Sequence, residues 1–124
     1  MPARGAWREQ MAPLSDPLIL DKIRHALSEW NCTGYITWKS VARAWVEANL
    51  EGMTTRAIGE DLFRYVEAGG PIDQVRESRP EWSEQRFHYD FRIPIAGRLV
   101  YIETILVEDD PEDPTIHVVS IHDA

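Results

Sequence analysis

The chain has 124 residues, a formal net charge of −8 and a single cysteine, Cys32, which excludes an internal disulfide. Hydrophobic residues make up 44% and charged residues 27%, the proportions of an ordinary soluble globular protein. No apolar run approaches the ~20 residues that a membrane-spanning helix needs, so no membrane partner is expected.

The length suits one domain that buries about two-thirds of its unfolded surface. The opening stretch has Arg4 and Arg8 but no apolar signal core. With a lone cysteine suited to a reducing compartment, the expected location is the cytoplasm. The charge is unevenly spread: residues 84–124 carry three basic and nine acidic side chains. A nucleic-acid binder draws its affinity from a basic stripe that neutralises phosphates. None is visible here, and duplex DNA is excluded as an expected partner.

In chain order, residues 1–14 read as a flexible tail and residues 15–124 as one domain. Asp16 and Pro17 form a cap and first-turn signal for a helix over 17–30, with Ile19, Ile23, Ala26, Leu27 and Trp30 on one stripe. Thr37 is expected to cap a second helix, 38–50, with Trp38, Val41, Ala42, Trp45 and Ala48 facing inward. Thr54 or Thr55 caps a third over 56–68, where Gly59 suggests a close helix–sheet contact. Gly69-Gly70-Pro71 terminates it.

Strands are expected over 71–76, 86–95, 98–108 and 115–122, with 77–82 as a loop. Ala96-Gly97 sits where a two-residue hairpin turn belongs. That turn sets Ile93 opposite Val100 and Phe91 opposite Ile102 on an apolar face. The other face pairs Arg92 with Tyr101 and Asp90 with Glu103, with His88 nearby. The last strand alternates Ile116, Val118 and Ser120 with His117, Val119 and Ile121. It is apolar on both faces, as interior strands are. The expected fold is α+β: N-terminal helices packed on one face of a C-terminal antiparallel sheet of three to four strands.

The helix ending RAIGEDLFRYVEAGG, the short strand PIDQV, an arginine-bearing strand, a hairpin and a closing Val-Val strand together resemble the RelE/ParE/MqsR-like toxin superfamily. The resemblance covers about residues 38–122. It implies helices set against a curled antiparallel sheet and, in the ribonuclease members, metal-independent RNA cleavage by basic and aromatic side chains on the exposed sheet face. By position, Arg92, Tyr101, His88 and His122 (or His117) would be the catalytic candidates, and an antitoxin-like protein the partner.

The residues themselves favour binding over catalysis. Arg92 can clamp a carboxylate or phosphate, His88 can act as acid or base, and Tyr101 can donate a hydrogen bond. Asp90 and Glu103 beside them repel phosphate. The histidines lack ligand spacing, and EDDPEDP (108–114) lacks the pattern of a calcium loop, so no metal or other cofactor is expected. Trp7 and Trp82 lie in irregular segments and are the candidates for a protein-binding surface. The leading expectation is therefore an acidic protein that binds another protein. A metal-independent RNase is the second reading. A nucleic-acid mimic working through the carboxylates of 108–113 is the third.

Overall fold

A computed structural model describes residues 11–124; Trp7 lies outside the described residues. The described residues are α+β, with three α-helices and a mixed sheet of six strands. The strands are β1 (Met11–Pro13), β2 (Ile36–Trp38), β3 (Asp73–Arg76), β4 (Phe87–Ile95), β5 (Arg98–Glu108) and β6 (Thr115–Asp123); the helices are α1 (Pro17–Ser28), α2 (Ser40–Asn49) and α3 (Thr55–Glu67). Across the sheet the order is β1-β3-β4-β5-β6-β2, antiparallel throughout except that β2 runs parallel to β6. Among the described residues no helix is long and apolar enough to cross a membrane.

Two helix starts follow directly from local chemistry. The Asp16 side chain accepts from the Leu18 N–H at 2.9 Å with Pro17 in the first turn, and Thr54 Oγ1 accepts from the Ala57 N–H at 3.0 Å. Each satisfies a donor that the helix leaves without an internal partner. Gly59 sits where an added Cβ would lie 3.1 Å from Ile36 Cδ1 of β2, so the glycine marks a close helix–strand approach.

Three expectations are corrected. The sheet has six strands, not three or four, and it is mixed because β2 runs parallel. Met11–Pro13, expected within the tail, pairs with β3. Ile36–Trp38 pairs with β6, so Thr37 is a strand residue rather than a helix cap; α2 starts at Ser40 behind Lys39, which makes no side-chain cap. A β-branched–aromatic run suits a strand, and the open edge of β6 supplies the partners: Lys39 N–H donates to Val118 O at 2.9 Å. The buried face of α2 also differs from the expected one: Ala42 and Val46 are buried, while Val41 is 61% exposed and Ala48 is exposed.

The hairpin register is the one expected, with Ile93 opposite Val100, Phe91 opposite Ile102, Arg92 opposite Tyr101 and Asp90 opposite Glu103. In β6 the strict alternation fails. Glu103 pairs with Ser120 but Thr104 pairs with Val118, so Val119 is an extra residue, a β-bulge. Beyond the bulge the faces exchange, and Ile121 joins Ile116 and Val118 in the core while Ser120 and His122 pair with Glu103 and Tyr101. Phe91, Ile93, Val100 and Ile102 form one buried cluster with Ile23 and Leu27 of α1, Ala42 and Val46 of α2, and Ile58, Leu62 and Val66 of α3.

Candidate functional site

The second face of the sheet is organised in rows that the register dictates. Arg92, Tyr101 and His122 are cross-strand neighbours on β4, β5 and β6; Asp90, Glu103 and Ser120 form the next row. Further along, Ile105 pairs with His117 and His117 with Thr37 of β2.

The first row is a stack. The Arg92 guanidinium carbon lies 5.3 Å from the centre of the Tyr101 ring, and the Tyr101 and His122 rings are 5.0 Å apart with planes inclined by 18°. Such cation–aromatic contacts contribute about 0.5–1 kcal/mol at exposed positions. Arg92 also holds Asp73 at 2.9 Å while keeping half its side chain in solvent. His122 is exposed, and its Nδ1 lies 2.9 Å from the Asp123 carbonyl, so Nδ1 carries the proton and Nε2 has no hydrogen bond among the described residues.

The second row is an interlocked ionic network. Asp90, 2% exposed, accepts from the Tyr101 hydroxyl through one carboxylate oxygen and from His88 Nδ1 at 2.8 Å through the other. The same His88 nitrogen lies 3.3 Å from Glu103. Glu103 also receives the Ser120 hydroxyl at 2.9 Å and the Arg79 guanidinium at 2.6 Å. Arg79 closes a fork on Glu77 with bonds of 2.7 and 2.9 Å, and the Ser78 and Arg79 amides each donate to Glu77 at 3.0 Å.

These contacts set the protonation states. Burial raises the Tyr101 phenol, and the bond to Asp90 with the Asp90 and Glu103 charges raises it further, so the phenol stays a donor. Burial opposes charge on His88, but the Asp90 hydrogen bond and the Asp90, Glu103 and Glu77 carboxylates outweigh it and raise its pKa. Burial would lift Glu77, but the Arg79 hydrogen bonds and charge bring it down to about 2. His117 goes the other way, lowered by burial and by Lys39.

Of the candidates read from the sequence, Arg92, Tyr101 and His122 come together in the stack, and Tyr101 links it through Asp90 to His88. His117 is apart, bonded at 2.8 Å to Thr37 and lying 5.7 Å from the Trp82 ring. Trp82 is half-buried in a 3₁₀ turn, Pro80–Trp82. Sequence reasoning missed Glu77, Arg79 and Ser120. Nothing local signals that a loop arginine will reach a glutamate on β5, and the phase change at Val119 alone brings Ser120 to this face.

Among the described residues, Glu77, His88 and Glu103 bring potential metal-ligand atoms within 4.8 Å of one another. The Arg79 guanidinium bridges both glutamates, so a fixed cation already occupies that position and a metal ion would have to displace it. The acidic carboxylates of 108–113 are solvent-exposed. No protein-family model, curated protein or solved structure matches the chain.

Proposed function

We propose that this chain acts by binding another protein, and that the row Arg92–Tyr101–His122 belongs to the recognising surface. The observation that carries the reading is the internal use of the acid–base groups. His88 and the Tyr101 hydroxyl both donate to Asp90, and Arg79 is shared between Glu77 and Glu103. A nuclease needs a proton donor free to reach a leaving oxygen, and here the two nearest donors are committed. With the helices on the apolar face, the part of the opposite face left for a partner is the row that includes the half-exposed Arg92 and the exposed His122. Tyr and Arg are residue types that anchor protein interfaces, through area and bidentate bonding. Under the toxin-superfamily resemblance the partner would be antitoxin-like.

The second reading, a metal-independent RNase, is supported by one arrangement: the Nε2 of His122, without a hydrogen bond among the described residues, in the same row as the half-exposed Arg92. In it His122 would be the base and Arg92 the phosphate clamp. One paired experiment separates the two. Cross-linked capture from native lysate is expected to return a stoichiometric partner that the Arg92→Ala/Tyr101→Ala/His122→Ala variant loses. Purified protein is expected to leave single-stranded RNA intact. Cleavage that Arg92→Ala abolishes would replace binding by catalysis.

A further inference from the structure

The segment Glu77–Arg86 leaves β3, crosses the second sheet face and returns to β4, closed at its base by the Glu77 N–H donating to Arg86 O at 2.9 Å. Between those ends its main chain bonds only to itself among the described residues. Trp82 N–H reaches Arg79 O, Ser83 N–H reaches Pro80 O, Gln85 N–H reaches Trp82 O, and the Ser78 and Arg79 amides reach the Glu77 carboxylate. The strap is therefore a self-contained turn laid on the sheet, and side chains hold it there.

Two side chains make the attachment. Arg79 reaches Glu103 of β5 at 2.6 Å, and Trp82 lies over His117 of β6 with ring centres 5.7 Å apart. Beside His117 the sheet presents Ile105, fully buried and outside the main core cluster; Val119, 4% exposed, is likewise outside that cluster. The fit is imperfect. Trp82 Nε1 is buried with no hydrogen-bond acceptor among the described residues, and a buried donor without a partner carries an unrecovered desolvation cost.

We infer that the strap is an internal stand-in for a partner's segment: once it lifts, the sheet offers a site for an arginine followed three positions later by an aromatic residue. Charge and shape both select that occupant. Without Arg79, His88 is the one cationic group among the described residues still touching the carboxylates of Asp90 and Glu103, beside the neutral hydroxyls of Tyr101 and Ser120, and such an acidic site suits a guanidinium better than an ammonium. The neighbouring surface of Ile105, Val119 and His117 accepts a flat apolar ring. One 3₁₀ turn sets the spacing between the two anchors. The inference rests on the protein-binding reading and adds to it the chemistry of the ligand and a competition that regulates access.

The test uses a chain in which residues 78–85 are replaced by a Gly-Ser linker of equal length, with folding checked by circular dichroism. The probe is a fluorescein-labelled peptide of residues 77–86. Linked segments act at effective concentrations in the millimolar range. The strapless chain should therefore bind the probe with Kd below ~1 mM, and the intact chain at least ~10-fold more weakly. Peptides carrying Arg79→Ala or Trp82→Ala, and the strapless chain carrying Glu103→Gln, should lose that binding. A folded strapless chain without saturable binding overturns the inference. Hydrogen exchange on the intact chain decides independently of that variant. The amides of Trp82, Ser83 and Gln85 should open well before those of β4 and β5, and sooner still in Glu103→Gln. Equal protection would mean that the strap moves only with global unfolding, and the inference falls. The peptide reports on the site beneath the strap, whereas partner capture reports on the Arg92–Tyr101–His122 row, so the two readings fail separately.

Discussion

Two faces of one hairpin, built from alternate residues of the same strands, are held by different physics. On one, Phe91, Ile93, Val100 and Ile102 are each no more than 1% exposed. Their contribution follows buried area and close packing, which are non-directional. On the other, Asp90, Glu103, His88 and Tyr101 are held by named donors and acceptors, and each depends on a specific neighbour. A hydrophobic face tolerates changes that keep its volume. An ionic face of this kind tolerates the loss of outer members but not of the group at its centre.

The largest effects should separate the faces from their own outskirts. Phe91→Ala empties a fully buried ring site and should cost about 3–5 kcal/mol in urea denaturation. Asp90→Ala removes the one carboxylate that receives both His88 and Tyr101, leaving the Tyr101 hydroxyl without its acceptor and His88 with only Glu103 at 3.3 Å, and should cost about 1–3 kcal/mol. Arg92→Ala, which breaks an exposed pair with Asp73, should stay within about 1 kcal/mol. If Arg92 proved costlier than Asp90, the distinction between centre and rim on the polar face would be lost.

Acid titration sharpens the same contrast, because the apolar face does not titrate. Glu77 has its carboxyl held at about 2 against an ordinary 4.5 by Arg79, despite burial. A depressed folded-state pKa contributes stability that is present above the unfolded value and is lost as pH falls through the folded one. Denaturation midpoints should therefore fall between about pH 4.5 and 2 in the wild type, and less steeply in Glu77→Gln. His88 has the opposite sign. Its raised value contributes stability fully present below the ordinary 6.5 and lost as pH rises through the folded value. Imidazole NMR should find His88 titrating above 6.5 and His117, lowered by burial and Lys39, below it.

Legibility in the sequence follows the range of the interactions. The hairpin register was readable because a two-residue turn leaves no freedom in pairing, and the Arg92–Tyr101 and Asp90–Glu103 pairs came with it. The cap at Asp16 was readable, and the one at Thr54 was readable as Thr54 or Thr55, because their partners lie within three residues. β1 and β2 were not, since three-residue strands carry little pattern and take their partners from β3 and β6, far along the chain. The extra residue at Val119 was invisible for a related reason. In the run Val118-Val119-Ser120-Ile121 either alternation is chemically acceptable, and only pairing with β5 decides where the phase changes. The Arg79–Glu103 contact spans a loop and two strands, so the site was legible in part: the Arg92–Tyr101 and Asp90–Glu103 pairs came from the hairpin register, but the Arg79 bridge and the bulge that brings Ser120 and His122 to this face did not.

The smallest expected effect probes the turn on which both faces depend. Ala96 has φ of 52° and Gly97 of 78°, so both central residues of the hairpin turn are left-handed. A left-handed conformation costs a Cβ-bearing residue roughly 1–2 kcal/mol, which Asn offsets through local hydrogen bonding and Gly avoids. Ala96→Gly relieves that strain but enlarges the unfolded ensemble, an opposing effect of about 0.4–1 kcal/mol. Asn lacks that second penalty and supplies the preferred Asn-Gly pair. Ala96→Asn should thus stabilise by up to about 1 kcal/mol and Ala96→Gly by less, with Gly97→Ala destabilising, all read from urea midpoints. Because the turn sets the register of both faces together, Ala96→Asn should leave the difference between Phe91→Ala and Arg92→Ala unchanged. A change in that difference would mean that the turn favours one face, and that the two are not independent readings of a single register.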